Sequence, residues 1–104
     1  MIIKVDDMYD SRDYAFYKKG KHIGVFRINN FYDQTRQIWD LSIKEEYRGQ
    51  GFGQQMLKEL LTKFAKNRKI ALGCKKNNTI ALHIYQKFGF TIVKDCNTYY
   101  WLER

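Results

Sequence analysis

"LSIKEEYRGQGFGQQMLKELLTKF", residues 41–64, decides how this chain is read. It opens as the end of an apolar strand and crosses three glycines in five positions, Gly49, Gly51 and Gly53. The period then changes. Phe52, Met56, Leu57, Leu60, Leu61 and Phe64 recur at spacings of one, three and four, which predicts an amphipathic helix over roughly Gly51 to Lys66. A helix that starts from such a loop presents unpaired N–H groups and a partial positive charge, both suited to a phosphate. Glycine lets a ligand come close to the backbone; the alternative is a tight turn with close strand–helix packing and no ligand. Register removes the familiar glycine motifs. The last glycine of G-x-G-x-x-G would fall on Gln54 or on Met56, and no Gly-Lys-Ser/Thr triplet follows for a P-loop.

Outward from this stretch the elements alternate. "IIKV" near the N-terminus reads as a strand, followed by the polar "DDMYDSRD". "YAFYKK" and "HIGVFRI" flank Gly20 as a hairpin, "NNFYDQT" reads as a second turn and "RQIWDLSI" as the next strand. After the helix, "KIALGC" is short, apolar and expected to be central. Asn77 or Asn78 can cap a second helix bearing Ala81, Leu82, Ile84, Tyr85 and Phe88, with Gly89 ending it. "FTIV" and "TYYWLE" close the chain as strands. The order β-β-β-β-α-β-α-β-β predicts an α/β (α+β) fold: a mixed, mostly antiparallel sheet with one central β-α-β unit. With no repeat, linker or proline, one domain over residues 1–104 is expected.

Composition sets limits. The formal charge is +8, from 19 Lys+Arg against 11 Asp+Glu, which favours an anionic partner such as nucleic acid, a phosphate-bearing cofactor or an acidic protein. No stretch approaches the ~20 apolar residues of a membrane span, and the N-terminus lacks the pattern of a signal peptide. The expectation is a cytoplasmic protein without a membrane partner. Cys74 and Cys96 have no ligand spacing, so no metal site is expected and Cys74 reads as a buried structural thiol. His22 and His83 read as surface residues.

Arg48-x-x-Gly51-x-Gly53, between a strand and a helix, resembles the acetyl-CoA motif of the GCN5-related N-acetyltransferase (GNAT) superfamily, R/Q-x-x-G-x-G/A. "NNTIALHIYQKFGF" resembles the family's second signature through Asn78, Ala81, Tyr85, Lys87, Gly89 and Phe90. The two occur in order with the right elements between them, and the resemblance runs from about Arg36 to the C-terminus. It implies an N-acetyltransferase that uses acetyl-CoA as co-substrate, with an amine as acceptor, a protein lysine or N-terminus being the expected kind.

By that resemblance the pyrophosphate lies on Arg48, Gly49, Gln50, Gly51, Phe52 and Gly53, with Gln54 starting the helix. Backbone groups near Leu41 and Ile43 bond the pantetheine arm, as does Asn78, and the Leu41 N–H polarises the thioester carbonyl. Strands "IWDLSI" and "KIALGC" splay to admit the cofactor. Tyr85 matches the usual general acid, which protonates the departing CoA thiolate; the alternative is a core aromatic. The positions that carry a basic glutamate in relatives are Gly73, Gln37 and Trp39 here, none of them a carboxylate. Asp40 is the one acid on either strand, either a base or an ion-pair partner.

The chain departs from the family between its first two strands. Most members place two helices there, and "DDMYDSRD" is too short for both. The acceptor side is therefore expected to be open, suiting an acidic protein acceptor or a pocket completed by a second copy in a homodimer. A basic surface would repel a polyamine. Two other readings stay on the table. One is a CoA-binding protein without catalysis. The other is a basic nucleic-acid-binding module, whose aromatic strands in "YAFYKKGKHIGVFR" would stack bases.

Overall fold

The computed structural model describes residues 1–7, 11–30 and 35–104. Its strands are β1 (Ile2–Asp7), β2 (Ser11–Lys18), β3 (Lys21–Asn30), β4 (Arg36–Ile43), β5 (Ile70–Lys75), β6 (Thr91–Cys96) and β7 (Tyr99–Glu103), and its helices are α1 (Phe52–Phe64) and α2 (Thr79–Lys87). The order along the chain is the expected one. Among the described residues the strands form one sheet in the order β1-β2-β3-β4-β5-β7-β6. Only β4 and β5 run parallel.

Local chemistry sets the elements. Lys19 and Gly20 have φ of 51° and 76°, the left-handed pair of a tight hairpin turn that matches strand twist. Asn78 caps α2 by accepting from the Ala81 N–H at 3.2 Å, and Gly89 at φ 95° takes the chain out of it. Several bounds differ from the sequence reading. β1 continues to Asp7 and β2 starts at Ser11, so the acidic stretch is largely strand: exposed strands tolerate polar side chains, which hides them from a hydropathy pattern. Asn29 and Asn30 of the expected turn end β3, and residues 31–34 lie outside the described residues.

Met56, Leu57, Leu60, Leu61 and Phe64 of α1 enter one core with Tyr14, Phe16, Phe26, Ile28 and Ile38. Tyr14 stacks on Phe26 with centroids 5.2 Å apart and meets the Phe64 ring edge-on at 4.8 Å. Leu72, Cys74, Phe90 and Leu102 extend the same core, with Ala81, Leu82, Ile84 and Tyr85 of α2 packed against it. Both helices thus cover one sheet face. On the other, Val25, Trp39 and Tyr99 stand about 40% exposed.

Gly24 in β3 has a packing reason the sequence does not display. A Cβ there would sit 2.5 Å from the Ser42 carbonyl oxygen and 2.9 Å from Ile43 Cδ1. Gly24→Ala must push β4 aside, and we expect a loss of about 2 kcal/mol, read as a lower urea midpoint at unchanged slope.

Candidate active site

The site is built where β4 lets go of β5. Their parallel ladder pairs Arg36, Gln37 and Ile38 with Ile70, Ala71 and Leu72 and stops there. On its other edge β4 carries a bulge. Trp39 pairs with Arg27 and Ser42 with Val25, so Asp40 and Leu41 together oppose the single residue Phe26. Asp40 sits at φ 54°, a conformation an aspartate tolerates better than a branched residue would. The kink turns the Asp40–Leu41 backbone out of both ladders.

A cleft of about 240 Å³ opens at this point, bounded by Trp39, Asp40 and Leu41 on one side, Gly73 and Cys74 on the other, and Asn78 and Tyr85 of α2 at its end. Leu41, Asn78, Ala81 and Tyr85 also line a second groove of about 180 Å³, which continues between the helices past Ile43 to Gly53. The two form one path from the bulge to the start of α1.

At that start Gly51 is the N-cap at φ 83°, and no side chain caps the helix. The first turn holds no acidic residue. Gly49 also has positive φ, at 76°, so the loop needs it as much as Gly51. A Cβ at either would meet nothing within 4 Å. Gly53 differs: it is helical and its absent side chain faces the groove, with Ile43 Cγ1 3.9 Å from a built Cβ. The Arg48 side chain turns back on its own chain, where Nε donates to the Ile43 carbonyl at 2.9 Å, and Gln50 Nε2 donates to the Glu46 carbonyl at 3.2 Å. Both side chains staple the loop, and the backbone N–H groups are what it offers a ligand.

Tyr85 is half-buried beside Phe90, ring centroids 6.0 Å apart. Burial first, and the neighbouring Cys74 second, push its phenol up to about 12. The folded state therefore holds this proton more tightly than the unfolded chain, whose phenols titrate near 10. Its contribution to stability is intact below pH ~10 and is lost as the pH rises to ~12, by about 2–3 kcal/mol. Urea midpoints at about pH 9 and about pH 11 should fall further for the wild-type chain than for Tyr85→Phe.

The other expected residues fall as follows. Asp40 is an exposed carboxylate whose Oδ2 lies 4.0 Å from Arg27 Nη1, an ion-pair distance at its loosest, while it also borders the cleft. Both of its readings keep a structural basis. Cys74 is buried and its thiol is pushed up by that burial, which fits a structural role. His83 is exposed, whereas His22 is half-buried and stacked on Tyr17, contrary to the expected surface role: the register brings it against that ring. Sequence reasoning missed the positive φ of Asp40, for which an aspartate inside an apolar strand was the available signal. Tyr14, Phe16 and Phe26 of the aromatic hairpin are buried under α1 and have no face free to stack a base.

The sequence pattern of the acetyltransferase (GNAT) family matches residues 3–90, reaching the N-terminal strands that carry no motif. The spermine/spermidine N(1)-acetyltransferase of Bacillus subtilis (strain 168) is 43% identical over 86 residues, 73% of this chain and 57% of that one. A mycothiol acetyltransferase of Corynebacterium glutamicum (strain R) is 28% identical over 91 residues, 85% of this chain and 31% of that one. The chain thus spans little more than half of the first relative. Among solved structures, a Bacillus subtilis acetyltransferase in complex with CoA superposes with a TM-score of 0.84 at 18% identity, covering 98% of this chain and 95% of the other. A GNAT family acetyltransferase from Elizabethkingia anophelis with acetyl-CoA bound gives 0.79 at 24% identity, covering 90% and 75%. At these identities the structural likeness is one of fold.

Proposed function

The chain belongs to the acetyltransferase (GNAT) family, and from that premise we propose that it is an N-acetyltransferase carrying acetyl groups from acetyl-CoA to a primary amine. The observation that carries this reading is the path from the bulge at Asp40–Leu41, past Asn78 and Tyr85, to the uncapped N-terminus of α1. The N–H groups from Gly49 to Gln54 receive the pyrophosphate. The pantetheine arm runs between β4 and α2, bonded by backbone near Leu41 and Ile43 and by Asn78. The Leu41 N–H, turned out of the ladder by the bulge, stabilises charge on the thioester oxygen.

The neutral amine attacks the thioester carbon, the C–S bond breaks, and the Tyr85 phenol gives its proton to the departing thiolate. Asp40 receives the proton that the amine sheds, directly or through water. The name of the 43% identical relative supports a small free amine as acceptor over a protein lysine or N-terminus.

The test has two arms. Acetyl-CoA at millimolar concentration should raise the melting temperature by mass action, where an equal charge of polyphosphate does much less. Mass spectrometry of an amine panel incubated with acetyl-CoA should find acetylated products. The absence of a melting shift sinks the cofactor assignment, and a shift without product leaves a CoA-binding protein.

A further inference from the structure

A hollow of about 380 Å³ lies over β1, β2 and β3, on the sheet face away from the helices. Its volume falls in the range of small-ligand sites. Ala15 and Val25 form its floor and Val5 one flank. The rings of Tyr17 and His22, stacked with centroids 5.2 Å apart, stand beside them. His22 Nε2 is shielded from solvent and has no hydrogen-bond partner among the described residues. At the other end Asp13 accepts twice from Arg27, from Nε at 2.6 Å and from Nη2 at 3.2 Å, so these two are committed to each other. Asp40 borders both this hollow and the cleft between β4 and β5.

We infer that the hollow is the second subsite of the acceptor, taking the aliphatic stem and second cationic nitrogen of an extended diamine or polyamine while its first nitrogen reaches the cleft past Asp40. The inference rests on the acetyltransferase reading for its purpose and on the hollow alone for its chemistry. Apolar walls suit methylene groups, which shed water on entering. The polar end sets two carboxylates against one guanidinium, a local excess of negative charge on a chain of net charge +8. Asp40 keeps acceptor capacity, because its side chain is 75% exposed and touches Arg27 only at 4.0 Å; the first nitrogen can dock on it as an ammonium before giving it a proton, while the second stays in the negative field of the Asp13–Arg27–Asp40 group. This reverses the sequence expectation that a basic surface repels polyamines: the sign of the field at the site, not of the whole chain, governs what enters.

Val25 is the position to change, since it is 39% exposed, lies outside the cleft and takes no part in the chemistry. Val25→Lys sets a cation at the floor and Val25→Phe fills it. With diaminohexane as acceptor, each should raise KM roughly tenfold or more, while KM for ethylamine, too short to enter the hollow, and for acetyl-CoA stays within about twofold. Calorimetry should show diaminohexane binding to the wild-type chain and not to Val25→Lys. If both amines respond alike, or neither does, the hollow is no subsite and the acetyltransferase reading stands. If the chain acetylates nothing yet binds diaminohexane in a manner Val25→Lys abolishes, the subsite stands and the acetyltransferase reading falls.

Discussion

Tyr85→Phe is expected to lower kcat about a hundredfold, with KM for acetyl-CoA nearly unchanged. The exchange keeps the ring that packs on Phe90 and removes only the hydroxyl at the end of the cleft. A phenol pushed up to about 12 carries its proton throughout the neutral range, so it would be available as an acid at any neutral assay pH. The wild-type profile of kcat should therefore show no falling limb from this group until the solution is strongly alkaline. The size of the effect separates the two readings of the residue. An acid that protonates a leaving group acts in the transition state and lowers kcat when lost; a core aromatic acts on stability and leaves turnover of the folded fraction alone. A Tyr85→Phe enzyme turning over at the wild-type rate makes Tyr85 a packing residue.

Gly53→Asp should weaken acetyl-CoA binding about a hundredfold and leave the unliganded chain as stable as before, or slightly more so. The two effects have opposite signs for one reason. The first turn of α1 has no acidic residue and no side-chain cap. A carboxylate there complements the helix dipole and typically adds about 0.3–1 kcal/mol. A built Cβ at Gly53 meets nothing nearer than Ile43 Cγ1 at 3.9 Å, so the backbone need not move. Yet the new side chain stands in the groove that leads to the loop and places negative charge where the pyrophosphate would lie. Thermal denaturation with and without acetyl-CoA reads both effects: the baseline midpoint holds or rises, and the ligand-induced shift disappears. A Gly53→Asp chain that keeps the full shift places the pyrophosphate elsewhere.

The sequence speaks clearly where one side chain has one local consequence. The apolar stripe of α1 is legible because burial on one helix face leaves a 3.6-residue trace, and the Asn78 cap because asparagine at that place has one common use. The path through Leu41, Gly53, Asn78 and Tyr85 is legible only through the paired motifs, since no local rule brings β4 and α2 together. Three features escape any local reading of the sequence. The insertion of β7 between β5 and β6 depends on pairing partners far apart in the chain. The bulge at Asp40 looks like ordinary strand alternation in "IWDLSI" until the register with β3 is counted. The turning back of Arg48 onto the Ile43 carbonyl is a rotamer choice, beyond reach of any motif. The hollow on the far sheet face belongs with these: its lining comes from four strands, β1 to β4, and the net charge of the chain points the other way.

The three-rung ladder between β4 and β5 also divides the molecule for folding. On one side stand four strands joined by antiparallel neighbours in chain order, and on the other a three-stranded leaf; few backbone bonds cross between them. Opening along that seam breaks fewer hydrogen bonds than opening within either leaf, so it is the expected line of subglobal unfolding. A ligand seated in the cleft touches both leaves and acts as a rivet across the seam. Amide exchange should therefore slow on saturation well beyond the groove, in β6 and β7, which border neither it nor the glycine loop.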